Sequence, residues 1–292
     1  MTDIMKTKHF ALAALALGLA ACNNDNENLN GDPVAAKFTA EVYEAASTRA
    51  SGTTWDNGDR IGITDIGTQY DNVPFSLKNG KFEADGTVIY FADTETHTFR
   101  AYYPYNETGG ILTATTDATA QLNQPAIDFL FATGATGSTH SPVVNFTGDN
   151  SFHHSMSRIT LTFEAGAGVD FSVVKPEHYT LDGLKLTGSF NTTDGIAIAD
   201  DGAQAEALTM NLAGSNLTSS VILFPQIAES LPLAVNFNGQ EYRATLTVPE
   251  GALKAGNSYT FTVKVRNGGI EVGEATIAPW NNVDGGEESA DI

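Results

Sequence analysis

The side chains able to do chemistry are few and poorly placed for it. His153 and His154 are adjacent, and neighbours on a strand point to opposite faces, so the two cannot readily share a metal ion. One is expected to face inward and the other solvent. Asp200-Asp201 and the pair Asp56 and Asp59 flank glycines, where Asp is favoured for turn hydrogen bonds and calcium is the weaker alternative. Among 35 acidic residues no spacing pairs two for acid–base work. The chain has no GxSxG elbow, HExxH helix, Walker loop, GxGxxG turn or EF-hand loop. No catalytic residue, metal ligand or cofactor is expected, and the chain reads as a non-enzyme. The aromatic run Phe99 to Tyr105 could stack on sugar rings if exposed. It reads better as a core strand ending at a Pro-marked corner.

Cys22 is the sole cysteine, which excludes an intrachain disulfide, a thiolate metal cluster and a CxxC redox pair. It closes Leu19-Ala20-Ala21-Cys22, after an apolar run from Phe10 to Ala20 led by Lys6 and Lys8. That run is shorter than the roughly 20 residues that span a bilayer, and it reads as a signal peptide over residues 1–21. Its last four residues resemble a bacterial lipobox, in which the cysteine is diacylated and becomes the new N-terminus. Met5 is an alternative start, because Met1 to Ile4 adds an acid to a region that should be basic. Residues 22–33, rich in Asn, Asp and Glu, cannot build a core and read as a polar tether.

Twenty-eight Gly and 10 Pro in 292 residues disfavour long helices. Sixteen Phe and 9 Tyr, with abundant Thr, favour strands. The chain is therefore expected to be all-β, and its length suits two antiparallel β-sandwich domains in series better than one. The boundary is placed near residue 150, giving domains at 34–150 and 151–292. Strands are expected at Arg60 to Ile63, Val88 to Phe91, Thr98 to Tyr103, Phe129 to Ala132 and Ser157 to Phe163, the last with Ile159, Leu161 and Phe163 inward. A second set is expected at Leu184 to Leu186, Gly195 to Ile198, Val221 to Phe224, Leu231 to Phe237, Tyr242 to Val248 and Tyr259 to Val265, the last in an antiparallel sheet with one wet face. The formal charge of −20 argues against nucleic acid as a partner.

The pattern at the start of the first domain bears on function. Val34, Ala36, Phe38, Ala40 and Val42 alternate with Lys37, Thr39 and Glu41, as in a half-buried strand. A small, polar stretch follows, with Arg49 in its middle, and ends at the Asn57-Gly58 turn. A cut between Arg49 and Ala50 would release residues 34–49 together with everything before them. The groove left behind would lose five apolar side chains, each worth about 1 to 3 kcal/mol of burial, and a row of hydrogen-bond partners. Such a sheet edge needs another strand. Near the other end Ile270 and Val272 alternate, Gly273-Glu274 breaks phase, and Ala275 and Ile277 resume on the other parity. Residues 270–280 admit two roles, a donor strand for another subunit or the last strands of their own domain. The acidic, Gly-rich stretch Asp284 to Ile292 reads as a disordered end.

Several segments together resemble the fimbrillin family of Bacteroidales. They are the lipobox at Cys22, the loop Thr48 to Asp59, the aromatic strand Thr98 to Tyr105, Asp128 to Ala132, Phe152 to Phe163, and Ala275 to Trp280. The resemblance implies two transthyretin-like sandwich domains, export as an outer-membrane lipoprotein through lipid on Cys22, and cleavage by a trypsin-like protease at Arg49. It further implies assembly with other pilus subunits by strand exchange, as a structural or adhesive subunit on the cell surface, possessing host or bacterial surface ligands in the adhesive case. The alternative is an anchored surface lipoprotein of the same fold that binds glycans or host ligands without polymerising.

Overall fold

The computed structural model describes residues 33–43, 55–212 and 217–280. The expectations for Cys22, Arg49, Ala50, the signal peptide, the tether and the acidic end lie outside the described residues. The first eleven strands are β1 (Val34–Ala35), β2 (Lys37–Ala40), β3 (Arg60–Asp65), β4 (Val73–Lys78), β5 (Lys81–Ala84), β6 (Tyr90–Phe91), β7 (His97–Tyr103), β8 (Ile111–Thr115), β9 (Leu130–Gly137), β10 (Val143–Phe146) and β11 (His153–His154). Eight of them form one sheet in the order β10-β2-β5-β4-β3-β7-β9-β11, and β1 pairs with β6. Their apolar faces enclose a core from Ala36 to Phe152 that includes Phe38, Ile61, Ile63, Phe99, Val144 and Phe146.

The remaining strands are β12 (Ser157–Ala165), β13 (Pro176–Leu184), β14 (Thr187–Asn191), β15 (Ala197–Ala199), β16 (Glu206–Asn211), β17 (Thr218–Leu223), β18 (Gln226–Ile227), β19 (Ser230–Phe237), β20 (Gln240–Thr247), β21 (Ala252–Leu253), β22 (Asn257–Arg266), β23 (Gly269–Val272) and β24 (Thr276–Pro279). One sheet runs β17-β12-β22-β23, with β24 also on β22, and a second runs β16-β13-β19-β20. The two share a core of Ile159, Leu161, Tyr179, Leu181, Val235, Phe261 and their neighbours. Ile159, Leu161 and Phe163 point inward as their alternation requires.

The protein is thus all-β and sandwich-like, with two departures from a purely antiparallel plan. β22 lies parallel to β12 from Arg158↔Ser258 to Ala165↔Val265, and antiparallel only to β23 and β24. β10 lies parallel to β2. Alternation identifies the wet face of a strand and says nothing of its neighbours' direction, so neither pairing was legible in advance. Of the expected strand at Leu184 to Leu186 only Leu184 is in a strand, as the last residue of β13, whose Asp182-Gly183 step reads as a turn. Gly183 has φ +81°, and the register with β16 shifts between Leu181 and Leu184, the mark of a bulge.

The halves on either side of residue 150 are stitched together. β11, beyond that point, pairs with β9, while β8, before it, pairs with β14 in a sheet ordered β15-β14-β8. Beneath that sheet lies a third core of Tyr102, Leu112, Phe129, Met156, Phe190, Phe224 and Trp280. A short 3-10 segment, Ala120–Ala126, supports it in a way its sequence does not announce. Buried Gln121 donates to the carbonyls of Thr116 (2.9 Å) and Ile222 (2.7 Å) and accepts from the Ile222 N–H (2.9 Å). Gln124 donates to the carbonyl of Ser220 (2.7 Å). Two side-chain amides thereby satisfy the outer edge of β17, which would otherwise need a neighbouring strand. Replacing Gln121 with Leu strands the Ile222 N–H and C=O, and urea unfolding should show a loss of about 2 to 3 kcal/mol.

Candidate functional site

The site is the groove occupied by residues 33–43. Ala36, Phe38 and Val42 are buried, Val34 and Ala40 half-buried, and Lys37, Thr39 and Glu41 exposed, which is the expected alternation. A break at Ala36 divides the segment into β1 and β2, and Ala36 N–H donates to the Ile89 carbonyl at 2.9 Å. β2 lies inside the sheet. On one side it pairs with β10 from Val143↔Lys37 to Phe146↔Ala40, and on the other it meets β5 at Phe38↔Phe82. Beyond β2 the pairing continues, with Tyr43 N–H donating to the Phe152 carbonyl (2.7 Å) and Phe152 N–H to the Glu41 carbonyl (2.8 Å).

Phe38 fills the centre. Its ring lies edge-on to Phe75 at 4.8 Å and Phe99 at 5.4 Å, and stacks near Phe146 at 6.3 Å. Trp55, where the described chain resumes, donates its indole N–H to the Ala40 carbonyl at 3.0 Å. The same ring packs edge-on to Phe82, Tyr103 and Phe152. Tyr43 and Trp55, which flank the segment holding Arg49, therefore both contact Phe152. Nothing in the sequence marks Trp55 as a cover for the strand, because its role depends on a carbonyl fifteen residues away.

A charged clamp lies beside β1. Val34 pairs with Phe91, and the Phe91 ring sits edge-on to His97 at 5.2 Å. His97 bridges Asp65 (Nδ1, 2.7 Å) and Asp93 (Nε2, 3.1 Å). Burial alone would lower the His97 pKa, but the two carboxylates outweigh it and raise the imidazole above its ordinary value. Burial holds Asp65 above the usual carboxylate range in spite of the hydrogen bond from His97.

The expected donor residues are seated in their own fold. Ile270 and Val272 belong to β23 and pack half-buried against the second core, as does Ala275. Ile277, in β24, pairs with Tyr259 and is 40% exposed. Trp280 is buried, stacked on His154 with ring centroids 4.1 Å apart and planes 4° from parallel. The Arg158 guanidinium lies 5.1 Å from the same ring. His154 Nδ1 is 2.8 Å from Asp128. His153 points the other way and stacks on Tyr43 at 4.3 Å, so the histidine pair splits between the two faces. Asp59 accepts from the Asp56 N–H and Asp200 from the Gly202 N–H, which are local turn bonds. In the aromatic run, Phe99 and Tyr102 are buried and Tyr103 half-buried, as a core strand requires.

With this geometry in place, the comparisons with known proteins agree on one class. The chain matches the fimbrillin-like family over residues 48–280, and it belongs to that family. A Bacteroides uniformis protein provisionally named fimbrium subunit Fim1C is 28% identical across 96% of both chains. A crystal structure of a provisionally assigned cell adhesion protein from Bacteroides ovatus superposes with a TM-score of 0.73 at 29% identity, covering 86% of this chain and 99% of that one. A second such protein, from B. uniformis, shares the fold with a TM-score of 0.69 at 24% identity over 85% of this chain and 99% of its own.

Two outcomes test the groove. Phe38→Asp places an unpaired charge among three aromatic rings, and the uncut chain should lose at least about 3 kcal/mol in urea unfolding. An unchanged midpoint would mean that the strand contributes nothing. His97→Gln should destabilise the chain most below about pH 6.5, the unfolded histidine value. The native bonus of a raised pKa is complete there and is lost as pH rises through the folded pKa. Melting curves of wild type and variant should therefore converge in alkaline buffer.

Proposed function

We propose that this chain is a structural or adhesive subunit of a cell-surface fimbria, exported as a precursor lipidated on Cys22 and matured by a cut between Arg49 and Ala50. Removal of the strand carrying Val34, Ala36, Phe38, Ala40 and Val42 opens the first sheet, and a strand from another subunit takes its place. The body of the subunit is two transthyretin-like sandwich domains in series that meet near residue 150. The observation that carries this reading is the position of β2, an interior strand joined to the rest of its sheet through residues 44–54. Arg49 is the sole basic residue between Tyr43 and Arg60, so one trypsin-like cut separates occupant from groove. The family match supports association with other pilus subunits. Burial of Phe99 and Tyr102 takes two rings of the aromatic run out of reach of a glycan, which favours this reading over that of a glycan-binding lipoprotein.

Arg266 is the rival cleavage site, exposed beside the Asn267-Gly268 turn. It is held by pairing between β22 and β23 and by an ion pair with Glu271, so Arg49 should be cut first. Limited tryptic digestion followed by N-terminal sequencing should give a main product beginning at Ala50. Mass spectrometry of the protein from its own cells should show acylated Cys22 in the precursor and Ala50 at the start of the mature form. A mature chain that keeps residues 23–49 would overturn the maturation scheme.

A further inference from the structure

The groove around β2 has a side-chain code of its own. Its central site is deep and aromatic, built by Phe75, Phe99 and Phe146 around Phe38. Two residues to either side the native strand carries only a methyl group, at buried Ala36 and at half-buried Ala40, whose carbonyl accepts from Trp55. Close packing at a buried position such as Ala36 resists added methylenes. Val34, paired with Phe91, and Val42, bridged to Phe152, end the row. Val-Ala-Phe-Ala-Val reads the same in both directions, so the code applies to a strand of either polarity.

Residues 269–280 do not meet it in any register. With Ile277 at the Phe38 site, Pro279 falls on one small site and Gly273 leaves an end empty. With Val272 there, Glu274 and Ile270 fall on the small sites; with Ile270 there, Glu274 and Arg266 fall on the ends. With Trp280 there, the sequence brings Asn282 and Asp284 to a small site and an end. The segment is also retained by its own fold, through four paired residues on β22 for β24, four for β23, and the Trp280 stack on His154.

We infer that the groove receives its strand from a different protein and that this chain does not propagate by handing residues 269–280 to a second copy. The incoming segment carries an aromatic residue with Ala or Gly two positions away on both sides and Val or Ile four away. This inference rests on the strand-exchange reading above, and its test separates the two. The full chain, given a specific protease site between residues 43 and 55 and cut there, is loaded with a dye-labelled peptide of residues 33–43. Unlabelled competitors are the same peptide, its Phe38→Ala variant, and a peptide of residues 269–280. The native peptide should displace the label, the variant should need about a hundredfold more, and residues 269–280 should not compete. The cut chain alone should stay monomeric in gel filtration. If the native peptide neither loads nor competes, the strand-exchange reading falls and this inference with it. If the native peptide binds and residues 269–280 compete within about tenfold of it, or the cut chain forms ladders of copies, strand exchange survives and self-exclusion is overturned.

Discussion

Strand β2 is the joint on which the first half of the molecule depends. β10 reaches its sheet only through β2, with four residue pairs on that side, while β5 meets β2 at one pair. Backbone bonds continue the pairing from Lys37, Glu41 and Tyr43 to Pro142, Phe146 and Phe152, and the aromatic nest around Phe38 adds side-chain burial to them. A short strand whose backbone bonds are the generic ones of a sheet, and whose side chains fill a pocket, can be exchanged for another of matching pattern. A helix or a long central strand would not offer that freedom.

The second half is closed by a different principle. In one of its sheets the Gln121 and Gln124 amides cover the outer edge of β17, and β23 with β24 covers β22. Trp280 anchors the last described turn of chain in the core that both halves share. Exposed edges invite pairing with foreign strands. The two amides and the β23–β24 cover keep those two edges from such pairing.

Much of this was legible in the residues. Alternation located the inward face of the segment from Val34 to Val42, of β12 and of β22, and the opposite orientations of His153 and His154 followed from strand geometry. The parallel pairings of β2 with β10 and β12 with β22 were not legible, since period two carries no direction. β13 was hidden by Pro176 and by the Asp182-Gly183 step, both of which mimic turn chemistry. The Trp55 cover, the Gln121 brace and the Trp280 stack join residues far apart in the chain, and no local signal encodes them.

The parallel contact between β2 and β10 also has a kinetic side. Thr39 and Asn145 share a hydrogen bond across 106 residues, so the N-terminal strand is synthesised long before its partner exists. Closing so large a loop adds little to the equilibrium cost, which grows only with the logarithm of length, but contacts of this range form late. The nascent chain therefore passes through an interval in which its first strand is loose and its sheet unfinished. During that interval the nest around Phe38 lacks the Phe146 ring, which only β10 brings to it.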